Sequence, residues 1–236
     1  MKSKRFFLLI CPAYVLVITA FLCAGFGVDH SVNTIAAYQP LEGRRCVIID
    51  AGHGGIDGGA TSCTGKTEST FNLEIARRLD DLLHLLGVKT KMIREDDVSI
   101  HTEGETIAAQ KLSDLRNRTK IVNNTDRSVL ISLHMNYFSD ERYFGPQVFY
   151  SSNGESKTLA GIVQDCLNNK LSIGSKRQIK KASGVYLMDH IKSPGILIEC
   201  GFISNFSEEE KLRDIGYQQN LCCVIATAYL RYISNS

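Results

Sequence analysis

Apolar residues along the chain alternate between short continuous runs and longer segments in which they recur at helical spacing. Four short, mostly apolar runs have the length of strands, and a nearly continuous apolar run is typical of a strand buried in a parallel sheet. These runs cover residues 46–50, 128–134, 147–150 and 195–200, and residues 88–93, where Lys and Thr stand between apolar positions, are also predicted to form a strand. Helical spacing of apolar residues appears over about 69–86, 111–124, 156–170 and 221–228.

This order of elements predicts the fold class. Strands that alternate with helices indicate a single-domain α/β fold of three layers, in which helices flank a mostly parallel central sheet. The glycine-rich segment after the first strand is predicted to be a loop, and Gly87 is expected to end the first helix. We also expect residues 94–110 to be irregular and a weaker run at 185–187 to form an edge strand.

Two histidines and two glutamates lie beside these elements. His53 follows the first predicted strand and Glu68 precedes the first helix, whereas His134 and Glu199 end later strands. Ligands collect at the carboxyl ends of strands in an α/β sheet, so we expect these side chains to reach one crevice. Two imidazoles and one carboxylate are a common ligand set for catalytic zinc, and a further glutamate can accept a proton from water. The sequence therefore predicts a hydrolase with one Zn²⁺ ion.

Structural interpretations of the same residues are weaker. A lone histidine is more often structural than catalytic, and Asp50 or Asp57 could simply cap a turn. The loop resembles a phosphate-binding turn only superficially, because Asp57 occupies the position of the third glycine in that motif. For Glu199 the alternative is an ion pair with an arginine or lysine, since a carboxylate at the end of an apolar strand is costly to bury alone.

Composition narrows the class of partner. The chain has 236 residues and 44% hydrophobic content, enough for one domain with a sizeable core. Its net charge is +2 and its Lys and Arg residues are not clustered, so no nucleic acid or other polyanionic partner is indicated. Six of the eight cysteines lie beyond residue 28, none in a Cys-x-x-Cys pair, and we favour free thiols over disulfides. Cys63, in the loop before Glu68, would close the metal site if it were a fourth ligand.

The N-terminal segment has the pattern of an export signal. Three basic residues precede an almost unbroken apolar run over 6–28, which is long enough to span a bilayer although it contains Pro12. We therefore predict an N-terminal signal or anchor at 1–28, a linker at 29–43 and a catalytic domain at 44–236. An uncleaved anchor is favoured over a signal cleaved near Ala36. The domain is accordingly expected outside the cytoplasm, with membrane contact through that segment.

Over about residues 45–232 the chain resembles the zinc-dependent N-acetylmuramoyl-L-alanine amidases, which cleave bacterial peptidoglycan. Four motifs of that family are matched, at residues 49–60, 68–73, 132–136 and 199–205. The resemblance implies the phosphorylase/hydrolase-like fold of these amidases, with His53, Glu68 and His134 as zinc ligands and Glu199 as the catalytic carboxylate. Within the family the chain is most similar to the germination-specific subgroup of spore-forming bacteria.

That similarity implies hydrolysis of the amide bond between N-acetylmuramic acid and L-alanine. In spore cortex this step removes stem peptides before muramic-δ-lactam is formed, and germination needs it. Peptidoglycan is thus the implied binding partner, together with an exported accessory protein, since related amidases are often switched on by one. Met135 and Tyr137 stand where related sequences have smaller residues.

Three further residues are candidates for contact with substrate or with the ligands: Asn136, Arg94 and Asn205. For Arg94 the structural alternative is an ion pair with Asp96 or Asp97. Two other functions stay open. One is a zinc peptidase or deacetylase that acts on another cell-wall amide, and the other is an inactive amidase-like module that binds peptidoglycan. The proton acceptor expected at Glu199 argues against the inactive module.

Overall fold

The computed structural model describes residues 45–140 and 142–235. The predicted signal or anchor at 1–28 and the linker at 29–43 lie outside these residues and stay predictions. Of the helices in the described ranges, none combines the length and apolar character needed to cross a membrane.

Six strands form one central sheet in the order β2–β1–β3–β6–β4–β5. The strands are β1 (Cys46–Ala51), β2 (Thr90–Met92), β3 (Ser128–Asn136), β4 (Gln147–Tyr150), β5 (Lys180–Lys181) and β6 (Gly195–Phe202). Neighbouring strands are parallel except β4, which runs antiparallel to β6. Because β1, β3 and β6 are adjacent and parallel, the residues at their carboxyl ends share one edge of the sheet.

Six helices connect the strands and follow the last of them. They are α1 (Glu68–Leu85), α2 (Ile107–Asn123), α3 (Gly154–Lys170), α4 (Tyr186–His190), α5 (Phe206–Arg213) and α6 (Ile215–Ser234). The first helix ends at Leu85, and Gly87 adopts a left-handed conformation with φ of 74°, as expected for a residue just beyond a helix.

Alternate residues of β1 face two separate hydrophobic cores, which divides the fold into three layers. Val47 and Ile49 belong to the larger core, which is completed by buried residues of α1, α3 and α6. Ile48 faces the smaller core, which contains Val122 of α2 and Leu187 of α4. The predicted three-layer α/β fold with a mostly parallel sheet is therefore confirmed.

Several local predictions differ from the structure. The edge strand expected at 185–187 is wrong: Val185 is the N-cap of helix α4 and the next two residues belong to that helix, and β5 forms an edge of the sheet instead. Leu187 and Ile191 both pack into the smaller core, and their separation of four residues is one helical turn. Helix α2 begins at Ile107, inside the segment expected to be irregular, and helix α5 was not predicted.

Free thiols were favoured over disulfides, and this prediction is confirmed for five cysteines of the described ranges. Five cysteines there carry free thiols: Cys46, Cys166, Cys200, Cys222 and Cys223. Three of them are buried, where a thiol packs as a small apolar group.

Candidate metal centre

The loop after β1 carries His53 in an unusual backbone conformation. His53 has a φ of 61°, in the left-handed region that residues other than glycine rarely adopt. Its Nδ1 donates a hydrogen bond to Asp57 Oδ2 at 2.9 Å, which leaves Nε2 directed towards Glu68 Oε2 at 3.3 Å. Asp57 therefore orients the imidazole, and it also accepts a turn hydrogen bond from Gly59 N–H at 3.4 Å.

Glu68 is the first residue of α1 and connects the two histidines. Its Oε1 lies 3.0 Å from His134 Nδ1 and its Oε2 lies 3.3 Å from His53 Nε2. The backbone N–H groups of Ala60 and Met135 each donate to one of these oxygens, at 3.0 and 3.1 Å. Burial alone would raise the pKa of Glu68, but the hydrogen bonds and charges of the two histidines hold it well below its usual range.

His134 extends from β3 over the loop that carries His53. A Cβ atom on Gly52 would lie 2.2 Å from both Cε1 and Nε2 of His134, so only glycine at that position leaves room for the ring. Gly59 has a similar function beside Glu68: its φ is +67°, and a Cβ there would lie 2.6 Å from Glu68 Oε2. The two glycines let the backbone pass close to the imidazole and the carboxylate.

The three predicted ligands are thus brought together. One nitrogen or oxygen from each of His53, Glu68 and His134 lies within 4.8 Å of the other two, and the group could hold a metal ion. Two imidazoles and a deprotonated carboxylate are a donor set suited to a divalent transition metal. Burial lowers the pKa of His53, but Glu68 and Asp57 outweigh this effect and raise it to about 9. A metal ion would therefore compete with a proton for this imidazole.

Glu199 lies beside this group on the adjacent strand. It pairs in register with His134 across β3 and β6. Its Oε2 is buried and accepts no hydrogen bond from any described residue. Burial raises the pKa of Glu199, and the negative charge of Glu68 adds to the increase, whereas the histidines oppose it. The structural alternative, an ion pair with an arginine or lysine, is not found for Glu199 within the described ranges.

Arg94 binds the backbone around the site. Its buried guanidinium donates to the carbonyl oxygens of Ala51, Gly52, Ser69 and Asp96 at 2.8–3.0 Å. These contacts fix the loop after β1 and the first turn of α1, and Nη1 also lies 3.9 Å from Asp97 Oδ1. The geometry supports a structural role for Arg94, and its contact with substrate stays a prediction.

The other two candidates lie near the carboxyl edge of the sheet. Asn136 ends β3, two residues beyond His134, and is partly buried. Asn205 follows β6 and caps α5, because its Oδ1 accepts from the backbone N–H of Glu208 at 3.2 Å. Asparagine followed three residues later by glutamate, as at 205–208, is a signature of a helix start, and it was the available signal for α5.

A buried ionic network below the His53 loop was missed from the sequence. Arg118 of α2 donates to Asp50 Oδ1 at 2.6 Å, to Ala51 O at 2.9 Å and to His53 O at 2.7 Å, and it also bonds to Asp114. Arg118 and Asp50 are 2% and 1% exposed, so neither is a surface charge. The only signal in the sequence is that Asp114 and Arg118 are four residues apart on a helix.

A pocket of about 160 Å³ opens beside the two histidines. Polar residues that line it include Ser99, Lys111 and Ser132, and Ile56 and Val185 contribute apolar surface. A small chemical group with both polar and apolar parts could therefore bind next to the candidate metal centre.

Residues 47–231 match a family profile described as N-acetylmuramoyl-L-alanine amidase. The germination-specific N-acetylmuramoyl-L-alanine amidase of Bacillus subtilis (strain 168) is 37% identical over 198 residues, which cover 83% of this chain and 82% of that protein. The N-acetylmuramoyl-L-alanine amidase AmiA of Escherichia coli (strain K12) is 26% identical over 235 residues, covering 80% of this chain and 76% of that protein. The structure of the CwlD amidase from Clostridioides difficile in complex with the GerS lipoprotein is similar with a TM-score of 0.78, at 33% identity, over 82% of this chain and 100% of that chain.

Proposed function

We propose a specific reaction for this chain, which belongs to the N-acetylmuramoyl-L-alanine amidase family and is a peptidoglycan amidase. The reaction is zinc-dependent hydrolysis of the amide between N-acetylmuramic acid and L-alanine in spore cortex. One observation supports it most strongly: three candidate ligands converge beside Glu199, a buried carboxyl group whose Oε2 has no hydrogen-bond partner among the described residues.

His53, Glu68 and His134 would hold the zinc ion. Nε2 of His53 and Nδ1 of His134 are the ring nitrogens that face Glu68, and Asp57 occupies the other nitrogen of His53. A histidine ligand usually donates its second N–H to a carboxylate or carbonyl group in this manner. A zinc ion bound there would polarise the amide carbonyl group and lower the pKa of a water molecule.

Glu199 would move the proton in this reaction. Water adds to the carbonyl carbon of the lactyl group, and Glu199 accepts the proton that the water loses. The protonated carboxyl group then gives this proton to the L-alanine nitrogen as the C–N bond breaks. Burial supports this role because it raises the pKa of Glu199 and so favours proton uptake at neutral pH.

The substitution Glu199→Gln tests whether Glu199 is the proton acceptor or a metal ligand. It preserves the shape of the side chain but cannot accept a proton, so zinc should remain bound while turnover falls by about 10²–10⁴. His53→Ala, Glu68→Ala and His134→Ala should each lose zinc and activity together. Glu210→Gln, an exposed change on α5, is the matched control and should behave as the unsubstituted protein.

Metal analysis and release of peptides that begin with L-alanine would be measured on the same samples. If Glu199→Gln loses zinc as fully as His134→Ala, Glu199 is a ligand. If Glu199→Gln retains full activity, another group transfers the proton. Release of a different product by the zinc-loaded protein would favour a peptidase or deacetylase, and release of no product would favour a binding module.

The spore cortex as substrate is supported by similarity to the germination-specific amidase of Bacillus subtilis. Cortex from cells that lack the gene should contain muramic acid that still carries stem peptides and should lack muramic-δ-lactam. Mass spectrometry of cortex fragments measures both. Normal δ-lactam content in that cortex would contradict this assignment.

The proposed substrate requires the catalytic domain to be exported. The proposal therefore retains the three predicted regions: a signal or anchor at 1–28, a linker at 29–43 and the catalytic domain at 44–236. A reporter fused after Pro40 should lie outside the cytoplasm and, if residues 1–28 are an uncleaved anchor, should fractionate with membrane. A soluble reporter in the cytoplasm would contradict the placement of the catalytic domain at 44–236 in contact with peptidoglycan.

An exported accessory protein is also part of the proposal, supported by the complex of the CwlD amidase with the GerS lipoprotein. We expect such a protein to bind the catalytic domain and to increase its activity on cortex. Purified domain would be assayed with and without extract from sporulating cells. Full activity that the extract leaves unchanged would argue against an activator.

A further inference from the structure

Helix α2 presents two basic residues to the loop that carries His53. Lys111 Nζ lies 2.7 Å from Asp57 Oδ1, and Arg118 donates to His53 O at 2.7 Å. These residues are seven positions apart, which is two helical turns and therefore the same face of α2. The helix thus acts on His53 in two ways. Arg118 binds the backbone carbonyl of His53, and Lys111 binds Asp57, whose carboxylate orients the imidazole ring.

Asp57 is the connection between Lys111 and His53. One carboxylate oxygen accepts from His53 Nδ1 at 2.9 Å and the other contacts Lys111 Nζ at 2.7 Å. The Asp57 side chain is 24% exposed, so water competes for both oxygens. The Lys111 ammonium group, together with a longer hydrogen bond from Gly59 N–H at 3.4 Å, holds Oδ1 and thereby directs Oδ2 towards the imidazole.

The orientation of Asp57 determines which nitrogen of His53 is available for metal. A carboxylate at Nδ1 keeps the proton on that nitrogen, so Nε2 is the nitrogen that gives up its proton to a metal ion and then presents its lone pair towards Glu68 and His134. If Asp57 turned away, the imidazole could exchange tautomers or rotate, and Nε2 would be lost as a ligand atom for part of the time.

We propose that Lys111 is a positioning residue for the metal centre, which acts through Asp57 to fix the tautomer and ring orientation of His53. This inference rests on the proposed function in one respect, that His53 is a zinc ligand. An ordinary surface ion pair is the competing explanation, because Lys111 is 46% exposed. In that case its loss would leave zinc affinity unchanged.

Zinc affinity of the full-length protein, measured by competition with a chromophoric chelator, tests the proposal. Asp57→Asn should weaken zinc binding by about 10- to 100-fold, the usual effect of removing a partner of a ligand. Lys111→Met should weaken it by about 3- to 10-fold, a smaller loss because Asp57 remains, and Lys111→Arg should restore most of it. Arg116→Met is the matched control, since Arg116 lies on the same helix, is 51% exposed and contacts Glu103 instead.

A double substitution tests whether Lys111 acts through Asp57. If it does, Lys111→Met in the Asp57→Asn background should cause almost no additional loss of zinc affinity. In ¹⁵N-histidine spectra of the zinc-loaded protein, Lys111→Met should broaden or shift the His53 Nδ1 signal, and Arg116→Met should not. Thermal unfolding of each metal-free variant would show whether a loss of affinity follows from a loss of folding.

Unchanged zinc affinity in Lys111→Met would overturn the inference and leave the proposed function intact. Additive losses in the double substitution would also overturn it, because Lys111 would then act independently of Asp57. If the unsubstituted protein binds no zinc, or His53→Ala binds zinc normally, the proposed function fails and this inference fails with it.

Discussion

The buried guanidinium of Arg118 holds the backbone of the loop that carries His53 in place. It contacts the carboxylates of Asp50 and Asp114 and the carbonyl oxygens of Ala51 and His53. We predict that Arg118→Met, which keeps an apolar stem and removes the charge, lowers the free energy of unfolding by about 3–5 kcal/mol. Among the described residues, Asp50 would keep only Ser132 as a side-chain donor, whereas Asp114 would still accept from Ser99 and Ile100.

The pH dependence of this loss follows from the pKa of Asp50. Burial raises that pKa, but Arg118, with help from His134 and Ser132, holds it below its ordinary value near 3.8. In the unsubstituted protein the contribution of Asp50 to stability is therefore present above about pH 4 and is lost as the pH falls further. Without Arg118, burial raises the pKa above its ordinary value, so the folded state binds the proton more tightly than the unfolded state.

The variant should consequently become less stable, relative to the unsubstituted protein, as the pH rises from about 4 towards 7. The difference in free energy of unfolding should grow by up to about 1.4 kcal/mol per pH unit while Asp50 titrates in the folded variant. Arg118→Met combined with Asp50→Asn should remove this slope. Arg116→Met should cost no more than about 0.5 kcal/mol at any pH, because its ion pair is exposed.

Urea unfolding followed by circular dichroism, at several pH values with a chelator present, measures these differences without a contribution from bound metal. A loss below about 1 kcal/mol for Arg118→Met would refute the reasoning that the charge is buried and indispensable. A constant loss across the pH range would refute the assignment of Asp50 as its main partner.

Three other substitutions test individual parts of the site. Gly52→Ala places a Cβ 2.2 Å from the His134 ring, so zinc content should fall at least about tenfold by metal analysis while the circular dichroism spectrum is preserved. Asn205→Ala removes the cap of α5 and should lower the free energy of unfolding by about 1 kcal/mol in urea, with unchanged KM; a raised KM would indicate substrate contact. Arg94→Met removes a charged donor from four carbonyl oxygens, of which those of Ala51, Gly52 and Ser69 are buried, and should cost at least about 2 kcal/mol, again with unchanged KM in a peptide-release assay.

The elements that surround the site could be predicted because each has a local pattern. Continuous apolar runs correspond to β1, β3, β4 and β6, and helical spacing corresponds to α1, α3 and α6. The three-residue run at 185–187 was too short to distinguish a strand from a helix, and packing of α4 into the smaller core decided it. Helix α5 was missed because a polar segment of eight residues has little apolar periodicity.

The candidate ligands could be predicted for a related reason. His53, His134 and Glu199 follow or end strands, and parallel strands bring their carboxyl ends to one edge of the sheet. Sequence position alone therefore indicated that these side chains would be close together, and the motifs of a known family indicated the same set. The glycines beside them were also visible in the sequence, although the close approach of Gly52 to the His134 ring was not.

The partners that hold these ligands were decided only by the tertiary structure. Arg118 contacts Asp50 across 68 positions, and Lys111 contacts Asp57 although a strand and a helix separate them in the chain. The local sequence around a charged residue on a helix does not show whether that residue will bind a buried partner or face solvent. For Arg118 and Asp50 the distinction arises when α2 packs against the sheet, because only then does a low-dielectric environment require each of these two charges to have a specific partner.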